Sequence, residues 1–130
     1  MQERHIFVSA AISMFIAIGL GAFGAHALKQ ILSADMLAIW QTAVQYQLIH
    51  GLALFALAIV YPRFTQCGVK SFTFIAPCFI IGSVLFSGSL YALALSGIKI
   101  LGAITPLGGV AFLLGWLLLA RSATHLKGKS

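Results

Sequence analysis

The sequence predicts an all-α fold, a four-helix transmembrane bundle with helix 2 extended into the external interface, and three observations predict it. Four long apolar runs divide the chain. Hydrophobic residues make up 61% of the chain and charged residues 8%, whereas a soluble domain carries roughly 25% charged residues. A small soluble domain buries only about 60–70% of what its unfolded chain exposes, so the apolar excess must face lipid. The cations sit at the chain ends and between the runs, as loop charges do in membrane proteins.

Residues 1–130 read as a single integral membrane domain, with spans at about 6–27, 43–61, 71–95 and 103–121. The first run, Ile6 to Ala27, is long enough to cross a hydrocarbon core of about 30 Å. Arg4 before it and Ala25-His26-Ala27 at its end mimic a secretory signal. Signal apolar regions run only about 7–15 residues, however, so this run is expected to be retained. Ser33 is an N-cap type, and no proline interrupts Ala34 to Tyr61. That helix exceeds what a bilayer needs. Its early polar residues, among them Asp35, Gln41 and Gln47, place its start in the interface, anchored by Trp40.

Tyr61-Pro62 closes helix 2, and Arg63 to Lys70 forms a short polar loop. In the third span Pro77 marks a kink or the first turn. Thr105-Pro106 then reads as an N-cap followed by the first helical residue. Pro106 to Arg121 is slightly short of a span. Either Gly102–Thr105 enters as a non-helical lead-in, or the helix starts nearer Ile98.

Four spans put both termini on one side, together with Arg4, Arg63, Lys70, Arg121, Lys127 and Lys129. The other side has Lys29 and Lys99. This asymmetry makes the terminal side cytoplasmic. The net charge of +6 forms no basic patch, which excludes nucleic acid as a partner. The expected partners are the lipid bilayer and either further copies of the chain or other membrane proteins. Cys67 and Cys78 show neither CxxC spacing nor a histidine cluster, so no metal site or disulfide framework is expected.

Lipid tails are as apolar as Leu, so helices associate through small residues and a few hydrogen bonds. Helix 1 carries Ser13, Ala17, Gly21 and Ala25 at spacing four, with Gly19 on another face, which suggests two neighbours. Helix 3 carries Ser83, Ser87 and Tyr91, and helix 4 Ala111 and Gly115. Gly21, Gly24, Gly82, Gly88, Gly108, Gly109 and Gly115 are the expected packing glycines.

Gly19-Leu20-Gly21-Ala22-Phe23-Gly24 matches GxGxxG, but the dinucleotide mechanism needs a preceding strand and an acid about 20 residues later. Inside an apolar run these are packing glycines. The candidate site lies on helix 2 instead. At 100° per residue, Thr42, Gln45, Tyr46 and His50 share a face. His26 ends helix 1 near the same level, and Ser87, Ser89 and Tyr91 of helix 3 lie at comparable depth. This polar cluster is expected to face the bundle interior.

Intramembrane ionisable groups are functional suspects, which makes His50 a proton carrier or ligand. The same residues also suit interhelical hydrogen bonds worth ~0.6 kcal/mol each. A haem between His26 and His50 is disfavoured by their difference in depth and by the absence of a span arginine to meet propionates. No cofactor is expected. Glu3 and Asp35 are the two carboxylates, too few and too far apart for paired acid–base work. There is no GxSxG, HExxH or P-loop, so no enzyme is expected.

The stretches GAFGAHALK (Gly21–Lys29), WQTAVQYQLIHGLAL (Trp40–Leu54), LFSGSLYALAL (Leu85–Leu95) and TPLGGVAFLLGW (Thr105–Trp116) resemble the domain-of-unknown-function 423 family. Its animal relatives are transmembrane-protein-256-like. The resemblance implies a multi-pass protein of the bacterial cytoplasmic (inner) membrane with four spans, and it assigns no activity. It also argues against cleavage after Ala27. The expected function is structural, or accessory to other membrane components. The alternatives are a small transporter or channel subunit using the polar face of helix 2, or a small-molecule binder at His26 and His50.

Overall fold

The computed structural model describes residues 1–128, so Lys129 of the charge count lies outside the described residues. Four helices are long and apolar enough to cross a membrane: α1 (Glu3–His26), α2 (Ala34–Gln66), α3 (Lys70–Ser96) and α4 (Lys99–Thr124). No strand occurs among the described residues.

Helix α1 buries Ile6, Ala10, Ala17 and Gly24 on one stripe, because small side chains there let the backbone approach α2. It packs chiefly against α2, not against two neighbours as its two small-residue faces suggested. The second face stays open, with nothing within 4 Å of a Cβ placed on Gly19.

Ser33 caps α2 as its sequence position predicts, its hydroxyl accepting the Met36 N–H at 3.2 Å. The helix does not stop at Tyr61-Pro62 but continues through Pro62 to Gln66. Proline inside a helix costs about 3 kcal/mol, and two contacts oppose that cost. Phe64 is buried and stacks on Phe72 of α3 at 4.3 Å, and the Thr65 hydroxyl donates to the Tyr61 carbonyl at 2.9 Å. The expected Arg63–Lys70 loop therefore shrinks to a turn around Gly68, whose φ of 68° suits glycine.

Helix α3 opens with a 3₁₀ turn (Lys70–Phe74), continues as α-helix (Ile75–Gly82), widens into a π segment (Ser83–Ser87) and returns to α-helix (Gly88–Ser96). Pro77 lies in the first turn of the α-helical part, where its missing N–H is harmless. Gly97 ends the helix at φ 70°, the left-handed cap glycine favours. Helix α4 starts near Ile98, as one of the two expected arrangements has it, through a 3₁₀ turn (Lys99–Ala103) leading into α-helix (Thr105–Thr124). Thr105 is the first residue of that helix rather than its N-cap, and its hydroxyl caps nothing.

Ile6, Phe64 and Phe72 share one core cluster with Leu126 against it, so both described chain ends meet at the same end of the bundle. At the far end Leu28, Trp40, Val44 and Ala94 form a smaller cluster. Trp40 is thus a core residue, not an interfacial anchor. The reason is Gly24, where any Cβ would fall 2.5 Å from the Trp40 indole nitrogen. That nitrogen donates to the Leu20 carbonyl at 2.9 Å.

Glycines set the closest approach of α3 and α4. A Cβ on Gly108 would meet the Phe86 backbone, one on Gly82 the Phe112 ring, and one on Gly115 the Phe79 ring. Gly21 lies against Val44. Two expected packing glycines behave differently. Gly109 is in ordinary contact with Phe86 at 3.9 Å, and Gly88 has nothing within 4 Å. Gly51, not among those expected, sits against Met14 of α1.

Candidate functional site

His50 lies halfway along α2 and is 3% exposed. Its ring stacks on Phe112 of α4 at 3.5 Å and 9° and meets Phe79 of α3 edge-on at 5.2 Å. Nδ1 lies 2.8 Å from the Tyr46 carbonyl, which can only accept, so Nδ1 carries the proton. Nε2 then accepts the Trp116 indole N–H at 3.1 Å. Both nitrogens of a neutral imidazole are occupied in this way, and no lone pair is free for a metal or a proton.

One helical turn nearer the start of α2, Gln47 bridges three helices. Its amide nitrogen donates to the Ser13 carbonyl of α1 at 3.2 Å. Its amide oxygen accepts the Tyr91 hydroxyl of α3 at 2.7 Å. The Tyr91 ring in turn meets Trp40 at 4.7 Å. Gln47 is buried, as an amide inside a span must be if other helices are to satisfy it.

Other interior hydroxyls are paired as well, with the exception of Ser83, whose buried oxygen has no partner. Ser87 of α3 donates to the Ala43 carbonyl of α2 at 2.7 Å. Ser89 gives its proton to the Phe86 carbonyl at 2.9 Å, so at 2.6 Å Thr105 of α4 donates to Ser89. Ser71 and Ser122 pair at 2.7 Å near the terminal end.

The predicted cluster is therefore only partly assembled. His50, Ser87 and Ser89 are interior and Tyr91 is half-buried, but they form separate pairs rather than one pocket. His26 is exposed at the end of α1. It lies at the end where α2 begins, about 24 Å of helix rise from His50, so the two histidines do not face a common ligand. Gln45 is exposed, contrary to the expectation that it faces the interior. Tyr46 is exposed as well, again contrary to that expectation, with its ring on Phe86 at 4.4 Å. Thr42 bonds only within its own helix, to the Ala38 carbonyl at 3.0 Å. The polar residues of α2 consequently form no continuous face.

Sequence reasoning missed Gln47 and Trp116. Gln47 has a signal: Trp40, Ala43, Val44, Gln47, His50, Gly51 and Leu54 are buried with the recurrent i, i+3, i+4, i+7 spacing of a helix seam. Among the described residues, no group of three His, Cys, Asp or Glu could hold a metal.

A helical membrane protein with four candidate spans, its interior polar groups paired across helix contacts, is the class this architecture defines. Residues 20–109 match the family described as "Protein of unknown function (DUF423)". The chain belongs to that family. It is 45% identical over 120 residues to the UPF0382 membrane protein YwdK of Bacillus subtilis (strain 168), covering 92% of this chain and 96% of that one. It is 44% identical to the UPF0382 inner membrane protein YgdD of Escherichia coli (strain K12), covering 99% and 96%. No solved structure matches.

Proposed function

We propose that this chain is a non-enzymatic protein of the bacterial inner membrane, structural or accessory to other membrane components, with both termini cytoplasmic. The observation that carries the reading is the pairing of interior polar groups: His50 with Trp116, Gln47 with Ser13 and Tyr91, Ser87 with Ala43, and Ser89 with Thr105. A catalytic or proton-carrying group needs a free lone pair or an exchangeable proton facing substrate, and these groups face one another. Relatives named as membrane and inner membrane proteins support the location, and the excess of cations on the terminal side supports the orientation.

The protein purified in mild detergent should bring down one or more membrane proteins in fixed proportion. Reconstituted alone, it should give no flux of ions or small solutes above empty liposomes. Flux by the isolated chain, with no retained partner, would overturn the proposal.

A further inference from the structure

Gln45 and Gln47 stand close together on α2 and meet opposite surroundings. Gln47 is buried and bonded to α1 and α3. Gln45 is exposed, and among the described residues nothing pairs with its amide, whereas nearby Thr42 is satisfied within its own helix at 3.0 Å. The exposure is to lipid. Gln45 lies about 7.5 Å of helix from His50, the midpoint of Ala34–Gln66, and a ~30 Å core extends about 15 Å to either side of its midplane. The bond from Ser87 to the Ala43 carbonyl sets nearly the same level from α3, since Ser87 lies about 6 Å of helix from Ser83, the midpoint of Lys70–Ser96. An amide at that depth is strongly disfavoured unless another protein group pairs with it.

The surface around Gln45 has the form of a helix seam. Ala38, Gln45, Leu52 and Ile59 fall on one heptad line, and all are exposed, Leu52 and Ile59 each to 57%. Ile49 and Ala56 flank that line and are exposed as well. In paired helices such an apolar heptad line is the line of contact, and a single polar residue within it fixes the register and the number of partners. We propose that this face of α2 joins two copies of the chain side by side, each Gln45 amide bonding to its counterpart. Copies inserted in one orientation are related by a two-fold axis along the membrane normal. That axis sets the two α2 helices parallel, with every seam residue opposite its own counterpart at the same depth. Glutamine suits this position because its amide nitrogen donates and its amide oxygen accepts, so two of them exchange a pair of hydrogen bonds. An acyl chain offers neither donor nor acceptor and cannot replace the second copy.

Two measurements on the full chain test the pairing. In the first, Cys67→Ser and Cys78→Ala remove the native thiols, one new cysteine is introduced at a time, and membranes of the producing cells are oxidised with copper phenanthroline. Ala38→Cys and Leu52→Cys, with Gln45 intact, should give disulfide-linked dimers of the chain. Ile18→Cys on α1 and Leu113→Cys on α4, equally exposed to lipid, should give far less. In the second, Cys78→Ala protein labelled at Cys67 is diluted in phosphatidylcholine vesicles, and energy transfer between chains gives the dissociation constant. Gln45→Leu should raise that constant about ten-fold through the loss of two interhelical bonds, with an unchanged helical circular dichroism spectrum. Gln45→Asn, which keeps an amide, should raise it less. Cross-linking as strong from α1 or α4 as from α2, or capture of a different protein at Leu52→Cys, would overturn the proposal. So would an unchanged dissociation constant in a folded Gln45→Leu protein.

Discussion

Replacing Gln47 by Leu tests whether interior pairing holds the helices together. Gln47 makes one bond to α1 at 3.2 Å and accepts one from α3 at 2.7 Å. Interhelical bonds in membranes average ~0.6 kcal/mol each, and a buried polar group left without a partner adds about 1 kcal/mol, the low end of its range. Gln47→Leu loses both bonds and strands the Tyr91 hydroxyl, for about 2 kcal/mol. Tyr91→Phe loses one bond and strands the Gln47 oxygen, for about 1.5 kcal/mol. The double variant loses both bonds but strands nothing, so its cost is about 1 kcal/mol, well below the sum of the single changes. Titration from dodecyl maltoside into sodium dodecyl sulfate gives the stabilities. Tryptophan fluorescence is a suitable signal because Trp40 lies against Tyr91. Additive single changes would refute the reasoning, since they would mean that the two side chains do not meet.

The same titration distinguishes two glycines. Gly108→Ala should cost ~1–3 kcal/mol, because its Cβ meets the Phe86 backbone and forces α3 from α4. Gly88→Ala, with nothing within 4 Å, should be neutral or stabilise by up to about 1 kcal/mol through helix propensity; equal losses at both positions would contradict the packing. For the proposed topology, a reporter active only outside the cytoplasm and fused to the C-terminus should stay silent. Cys67, at the end of α2, should react with a membrane-impermeant thiol reagent only once the cytoplasmic side is opened. Cys78, inside α3 and against Gly115, should react far more slowly, and fast labelling of both in intact cells would refute the orientation.

The fold was legible because its causes are local. Apolar run length indicates the four helices and Ser33 the start of α2, whereas α4 begins in the 3₁₀ turn at Lys99, ahead of Thr105-Pro106. What failed depends on distant contacts. Pro62 looks like a stop signal until Phe72, brought back by α3, stacks on Phe64 and supports another turn. The π segment at Ser83–Ser87 has no marker in residue type. The site was half legible for a geometric reason. His50 belongs to two rows on α2: Thr42 and Tyr46 at spacing four, and Ala43, Gln47 and Leu54 at spacings of three and four. The first row collects the conspicuous polar residues, yet it drifts around the helix toward the surface. The second faces the neighbours throughout, and it contains the glutamine that bridges them. Trp116 has no such signal, because only the approach of α4 to α2 brings its indole to His50.

His50→Leu provides the most direct measurement of whether these interior groups are structural. Leu removes the Trp116 bond at 3.1 Å and the stack on Phe112 at 3.5 Å. Detergent titration should then show a stability loss of about 1–2 kcal/mol, from one interhelical bond and a stranded indole N–H. Partners retained per folded molecule in mild detergent should be unchanged. Undiminished stability together with complete loss of the retained partners would contradict the account, because His50 would then be acting as a site and not as a bond between helices.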